Sequence, residues 1–174
     1  MTFCHPFGVE LTIRSARPDD HEVLLALASR AWEPVFASVN VALGGELARL
    51  LHGEDWRNHQ ASEMREILAS DSIETWVADV DGQHVGFVAA RLLDPARRIG
   101  EIRIVAVDPA AQRQGIGGAL TRHAEVWLHE QGMAVAFVGT GGDPGHRPAR
   151  GLYESLGYQL FPSAQYFRVL PDKE

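Results

Sequence analysis

The chain has 174 residues and a mass of 19.1 kDa, with 45% hydrophobic and 22% charged residues, which fits one globular domain able to bury a core of its own. Sixteen Lys and Arg against 23 Asp and Glu leave a net charge of −7, excluding a generic nucleic-acid-coating protein, because such a protein needs a surplus of cations along the backbone it neutralises. The single cysteine, Cys4, excludes an intrachain disulfide framework and a cysteine-cluster zinc site, so a reducing cytoplasmic compartment is expected.

In chain order, Met1 to Glu10 lack the basic cluster and apolar core of a secretory leader. No apolar run approaches the roughly 18 residues of a membrane span. Residues 1–9 read as an N-terminal tail and 10–170 as one domain. Val9, Leu11 and Ile13 alternate with polar residues as a half-buried strand does. Arg17-Pro18-Asp19-Asp20 starts a helix, whose stripe of Leu24, Leu25, Leu27, Ala28, Ala31 and Trp32 runs towards Pro34. Further helices are expected from Val41 to about His52 and from about Asn58 to Ala69. Ile73 to Val80 and Gln83 to Leu93 read as a hairpin about Asp81-Gly82, and Ile99 to Val107 as a strand ended by Asp108-Pro109. A helix from Gly115 to Gly132, a buried strand from Ala134 to Gly139 and a Gly/Pro loop over 140–147 follow. A short helix from Pro148 to Leu156 stops at Gly157, and Tyr158 to Phe161 and Tyr166 to Val169 complete the chain as strands. This order predicts one α/β domain around a mixed, largely antiparallel sheet flanked by helices.

The segment richest in chemistry is Ile104-Val105-Ala106-Val107-Asp108-Pro109, followed by Gln112-Arg113-Gln114-Gly115-Ile116-Gly117-Gly118. A strand that stops at proline and enters a helix through three glycines in four positions presents bare N–H groups at a positive helix end, which suits phosphate. Ala119 and Leu120 follow the glycines, so the segment lacks the Gly-Lys-Ser/Thr of a Walker loop and the third glycine of a dinucleotide fingerprint.

The Gln-x-x-Gly-x-Gly pattern resembles that of the GCN5-related N-acetyltransferase (GNAT) family. Ala149-Arg150-Gly151-Leu152-Tyr153-Glu154-Ser155-Leu156-Gly157-Tyr158 is similar to that family's closing helix-to-strand segment, and the likeness extends over about residues 10–170. It implies a cradle for the pyrophosphate of acetyl-coenzyme A formed by Gln112, Arg113, Gln114, Gly115, Ile116, Gly117 and Gly118. It also implies that Val105, Ala106 and Val107 line the cofactor along the strand, with His146, Ala149 and Tyr153 contacting it from the last helix. Seven residues before the tyrosine many family members carry an asparagine; His146 stands there instead.

Acetyl transfer to an amine passes through an oxyanion, which needs backbone donors, and requires the acceptor's proton to be removed. By resemblance, the Val105 amide is the oxyanion donor at a strand bulge, Glu101 the base steadied by Arg103, and Tyr153 the acid that protonates the departing thiolate. Each has a bland reading beside it: Glu101 as a solvated strand residue, Tyr153 as a core aromatic, the glycines as aids to tight packing. Cys4 lies far from every motif, so transfer without a covalent acetyl-enzyme is expected.

Trp32, Glu33 and Phe36, at the end of the first helix, are candidates to grip a cationic amine, with packing against the sheet as the alternative. The Gly139 to Gly145 loop is either a simple turn or a wall of the acceptor channel. His52 and His59 are seven apart and His123 and His129 six apart, spacings that do not set two ligands on one helix face, so no metal is expected. The predicted function is acetyl-coenzyme A-dependent N-acetylation of a small-molecule or peptide amine; a non-catalytic acyl-coenzyme A sensor is the alternative. No nucleic-acid or membrane partner is expected. Tyr166 and Phe167 offer an apolar edge, and the resemblance implies a homodimer. Balances of −2, −5, +1 and −1 for residues 1–40, 41–80, 81–120 and 121–174 put acid on the expected acceptor side. They put the one positive stretch at the expected phosphate cradle, although solvated helix faces explain the same acid.

Overall fold

A computed structural model describes residues 2–4 and 10–171. One sheet contains β1 (Thr2–Cys4), β2 (Glu10–Ser15), β3 (Ile73–Val80), β4 (Gln83–Asp94), β5 (Ile99–Val107) and β6 (Val135–Phe137), ordered as in the chain. Neighbours run antiparallel from β1 to β5, and β6 joins parallel to β5. The expected mixed, largely antiparallel sheet is therefore the one that forms.

The period of two along each strand divides the core between two faces. On one face Leu11, Ile13, Trp76, Ala78, Val88, Ala90 and Ile102 pack with Ile116, Leu120, Ala124 and Leu128 of α4 (Ile116–Glu130). On the other, Val77, Phe87, Ala89 and Ala106 meet Leu24, Leu27 and Ala28 of α1 (His21–Leu43) and Met64 and Ile67 of α3 (Trp56–Leu68). Two short helices, α2 (Gly45–His52) and α5 (Arg147–Ser155), complete the layers. Gly86 is required where α4 approaches β4: a Cβ there would lie 2.8 Å from the Ala106 carbonyl oxygen and 3.0 Å from Leu120.

Between β2, β3 and β4, the Arg14 guanidinium donates to both carboxylate oxygens of Asp20, at 2.7 and 2.9 Å, and to Asp79 at 2.9 Å. His84 touches the same two carboxylates, Nε2 to Asp20 at 3.0 Å and Nδ1 to Asp79 at 2.5 Å. The Arg14 bond, aided by the Arg17 amide and outweighing burial, holds the Asp20 carboxyl far below the usual carboxylate range.

Four expectations are corrected. The first helix runs through Pro34 to Leu43, so Val41 lies within it and the second helix begins only at Gly45. Proline deprives the Arg30 carbonyl of its helical donor. Both residues are exposed, so water can satisfy that oxygen, and α1 ends instead at Gly44, where φ is +79°. The strand after Gly132 spans only Val135–Phe137 at the sheet edge, with Val135 and Phe137 exposed rather than buried. Tyr158 to Phe161 and Tyr166 to Val169 form no ladder. Leu160, Phe161 and Tyr166 are exposed, so their strand-favouring side chains lack the half-buried surface on which that preference depends. Thr2–Cys4, read as tail, pairs with β2 as an edge strand; Val9 lies outside the described residues.

Candidate active site

The β5–β6 pairing stops at Glu101↔Phe137, yet β5 continues to Val107. Beyond Glu101 that edge of β5 pairs with no strand among the described residues, and the sheet opens. Asp108 N–H bonds the Val85 carbonyl on β4 at 2.8 Å, while the Val107 carbonyl accepts from Gln112 Nε2 at 3.1 Å. Strand alternation then turns the N–H and C=O of both Val105 and Val107 into the opening, with those of Ala106 towards β4. The Val105 amide is thus placed as a donor to a group lying there. The expected bulge sits two residues earlier: Ala89 pairs with Ile104 and Ala90 with Ile102, which leaves Arg103 as the extra residue.

α4 begins beside this opening. Its first intrahelical bond runs from the Ala119 N–H to the Gly115 carbonyl at 3.0 Å, so the N–H groups of Ile116, Gly117 and Gly118 precede the ladder and have no acceptor within it. Gly115 adopts φ +82° and Arg113 φ +61°, a left-handed turn that directs the loop amides to one side. Gln112, Arg113, Gln114 and Gly115 are exposed, whereas the Ile116 side chain is buried under the sheet, leaving its backbone as the available part. The Arg122 guanidinium folds back over the first turn, where a Cβ on Gly118 would stand 3.3 Å from Nη2. A cation over a positive helix end fits an anionic guest. Asp108 caps the preceding turn by accepting from Ala110 N–H at 3.0 Å and binds Arg30 of α1 at 2.6 Å, fastening the loop to α1. Burial raises the Asp108 carboxyl, but Arg30 and the Ala110 amide outweigh it and the net shift is downward.

α5 closes the other side. A Cβ on Gly117 would be 3.3 Å from Leu152 and 3.7 Å from Val107, so α5, α4 and β5 converge there. Tyr153 is 9% exposed with its ring 5.6 Å from that of Tyr158, and burial pushes its phenol up to about 12. The hydroxyl therefore keeps its proton through the neutral range. Ala149, one turn earlier on α5, is half-buried.

Glu101 is 7% exposed on the α1 and α3 side of the sheet; Oε2 accepts from Arg91 Nε at 2.5 Å, and Arg103 lies 4.0 Å from Oε1. Its principal cation is thus Arg91 across the β4–β5 ladder. His146 bonds Asp143 through Nδ1. Asp143 also accepts from the Gly145 N–H at 3.0 Å, whose second acceptor is Ser38 Oγ of α1 at 2.9 Å. Burial works to raise the Asp143 carboxyl, but the Ser38 hydroxyl, His146 and the Gly145 amide outweigh it and hold it below the usual range.

Trp32, Glu33 and Phe36 do not combine into a free cage. Trp32 packs against the core beneath α1, Glu33 binds Arg57 at 2.6 Å, and Phe36 stacks on Trp56 with centroids 4.2 Å apart. Arg57 lies over the Trp56 ring and His52 meets Phe36 edge-on. Trp56 and Asp143 are the residues at these contacts that the sequence reading missed. Trp56 gives no local signal, whereas Asp-Pro-Gly-His before a helix is a legible turn in which the acid reaches the histidine. Among the described residues no group of three or more His, Cys, Asp or Glu could hold a metal, and no helix is long and apolar enough to cross a membrane.

The sheet thus opens beside a glycine-entered helix, and a helix carrying a buried tyrosine closes the other side. The chain matches the Acetyltransferase (GNAT) family over residues 44–158 and belongs to it. It is 36% identical over 109 residues to a mycothiol acetyltransferase of Thermomonospora curvata, covering 62% of this chain and 33% of that protein. It is 31% identical over 156 residues to the mycothiol acetyltransferase of Tsukamurella paurometabola, covering 88% and 49%. The chain thus spans about half, or less, of these relatives' length. The fold matches an aminoglycoside N-acetyltransferase, AAC(6')-Iy, in complex with CoA, with TM-score 0.65 and 17% identity over 94% of this chain and 97% of that one. It also matches the PaiA N-acetyltransferase of Thermoplasma acidophilum in complex with coenzyme A, with TM-score 0.66 and 16% identity over 88% and 92%.

Proposed function

We propose that this chain transfers the acetyl group of acetyl-coenzyme A directly to a primary amine. The observation that supports the reading is the opening of the sheet along β5 beyond Glu101, with the α4 amides of Ile116, Gly117 and Gly118 ahead of the helical ladder beside it and α5 meeting α4 and β5 at Gly117. Those amides, with Arg122, suit a pyrophosphate, and the close approach of Gly117 to Leu152 leaves a backbone surface that a side chain would fill. Gln112, Arg113, Gln114 and Gly115 form the rim of that cradle, and Ala106, Val107 and Ala149 its walls.

Val105 N–H is the donor to the carbonyl oxygen on which negative charge develops, and Tyr153 gives its proton to the leaving sulfur. Glu101 fits the base role less well, because Arg91 occupies the carboxylate and burial closes it to solvent; its role is to hold Arg91 and Arg103 across the strand. The acceptor belongs on the side of α1 and α2, where Phe36, Trp56 and His52 form an aromatic wall. The names of the relatives and structural neighbours make the acetyl-free form of mycothiol and an aminoglycoside the first acceptors to try.

Thermal unfolding with and without acetyl-coenzyme A tests the cofactor, and free-thiol release with a panel of amines tests the transfer. Stabilisation together with thiol release supports the enzyme. Stabilisation with no release from any amine supports the acyl-coenzyme A sensor, and no stabilisation at saturating cofactor overturns both.

A further inference from the structure

We infer that the chain pairs with a second copy of itself by exchange, Tyr166–Leu170 of each copy lying along β6 of the other; the inference stands apart from the acetyltransferase reading. Two unmatched halves carry it. The first is a sheet edge: β6 is the outermost strand on its side among the described residues, with Val135 52% and Phe137 45% exposed. An uncovered edge offers its free N–H and C=O groups to another strand.

The second half is a strand without a sheet. Gly157, at φ +90°, turns the chain out of α5, and Tyr158 still packs on the core, but every residue from Gln159 to Pro171 is exposed. Phe161 is 87% and Tyr166 93% exposed. Tyr166, Phe167 and Val169 are strand formers, and Pro162 and Pro171 bracket the run, where a missing N–H does no harm to a ladder. This arm does not rest on its own body. Its end, Phe167 to Pro171, lines an open groove of about 650 Å³ with Leu47, Leu50 and Leu51 of α2, and it joins no strand of its own sheet.

The surface area agrees. The chain exposes 11126 Å², whereas a folded monomer of 19.1 kDa ordinarily exposes about 8,400 Å². The excess is larger than the roughly 800 Å² that each partner gives up in a standard interface. Aromatic side chains such as Phe161 and Tyr166 bury about 150–250 Å² apiece when packed, so the arm holds much of what such an interface needs. A second copy is the partner that fits, because each chain carries both halves. The arm of one meets the edge of the other, and the reverse contact closes on a two-fold axis without leaving either half free.

Light scattering on the full chain at micromolar concentration tests the assembly, and a mass of about twice 19.1 kDa is expected. Tyr166→Asp and, separately, Val135→Lys are expected to raise the dissociation constant of the dimer roughly tenfold or more, as for a central interface residue, while the circular dichroism spectrum stays that of wild type. Both residues are exposed in a single copy, so a monomer would feel neither change. Cysteines read the exchange itself: Cys4→Ser removes the one natural thiol, and Val135→Cys with Arg168→Cys is then treated with a short bis-maleimide. A two-chain product on a denaturing gel that requires both cysteines is the expected result. A monomeric mass, a dimer indifferent to Tyr166→Asp and Val135→Lys, or a one-chain cross-link, which would mean that the arm folds back on its own β6, overturns the inference.

Discussion

Arg91 and Glu101 face each other in register across the β4–β5 ladder, Nε 2.5 Å from Oε2, with Glu101 only 7% exposed. Removing the guanidinium leaves a buried carboxylate without its main partner, the costly half of any ion-pair disruption. Arg91 is 38% exposed at its side chain, so water repays part of the loss. Arg91→Leu is expected to destabilise the fold by roughly 2–3 kcal/mol, towards the low end for such pairs. Arg91→Leu combined with Glu101→Met should recover most of it. Urea unfolding of the single and double variants measures this, and equal losses in both would remove the pair from the account of stability.

The burial of Tyr153 predicts a specific alkaline behaviour. An exposed phenol ionises near 10, whereas this one is pushed up to about 12. Between those values the unfolded chain gives up a proton that the folded chain keeps. Stability must then fall as pH rises through that window, by up to about 1.4 kcal/mol per pH unit for this one group. Tyr153→Phe removes the ionisable group, so its unfolding free energy should decline less steeply from pH 10 to 12. Under the proposed mechanism the same variant also loses turnover at neutral pH while keeping coenzyme A binding.

How far the sequence led follows from the range of each interaction. The hairpin about Asp81-Gly82, the strand to Val107 and the glycine-entered α4 are written in local periodicity and turn chemistry, and all three form. Reading Arg103 as the partner of Glu101 followed from their spacing of two, which places side chains on one face of a regular strand. The extra residue at Arg103 breaks that alternation, and the pairing passes to Arg91, ten residues away on the neighbouring strand. The stacking of Phe36 on Trp56 likewise joins α1 to α3 through residues twenty apart in the chain, a contact that no local pattern contains. The end strands failed for the converse reason: Tyr166 and Phe167 have the local preference but no sheet edge beside them to realise it.

Arg122 supplies a test of the phosphate cradle that leaves the core untouched. Its side chain is exposed, and its guanidinium stands over Gly118 at the positive end of α4. In the free protein that placement is electrostatically unfavourable, so its removal should cost no stability. With a phosphate bound, the same guanidinium becomes a charge-assisted donor. Arg122→Ala is expected to weaken coenzyme A binding about tenfold, or about 1.4 kcal/mol, with an unfolding midpoint equal to wild type without ligand. Calorimetric titration at two ionic strengths checks it: the wild-type advantage should shrink as salt rises, and identical affinities would take Arg122 out of the cradle.

Asp20 carries the last prediction, an acid one. The residue is 6% exposed, and its carboxylate is held by both terminal nitrogens of the Arg14 fork and by the Arg17 N–H at 2.7 Å, with His84 Nε2 at 3.0 Å. These contacts favour the charged form, so the folded chain retains a carboxylate where the unfolded chain, with an ordinary value near 3.9, has taken up a proton. The stabilisation is therefore complete above about pH 4 and drains away as pH falls below it. Asp20→Asn keeps the shape but gives up the charge. At pH 7 it should be less stable by roughly 3 kcal/mol, because Arg14 keeps Asp79 but loses its bidentate partner. Below pH 4 the wild-type curve should fall faster than the variant's, and the two should converge. Parallel curves from pH 7 to pH 2 would mean that the Asp20 charge plays no part in holding β2, β3 and β4 together.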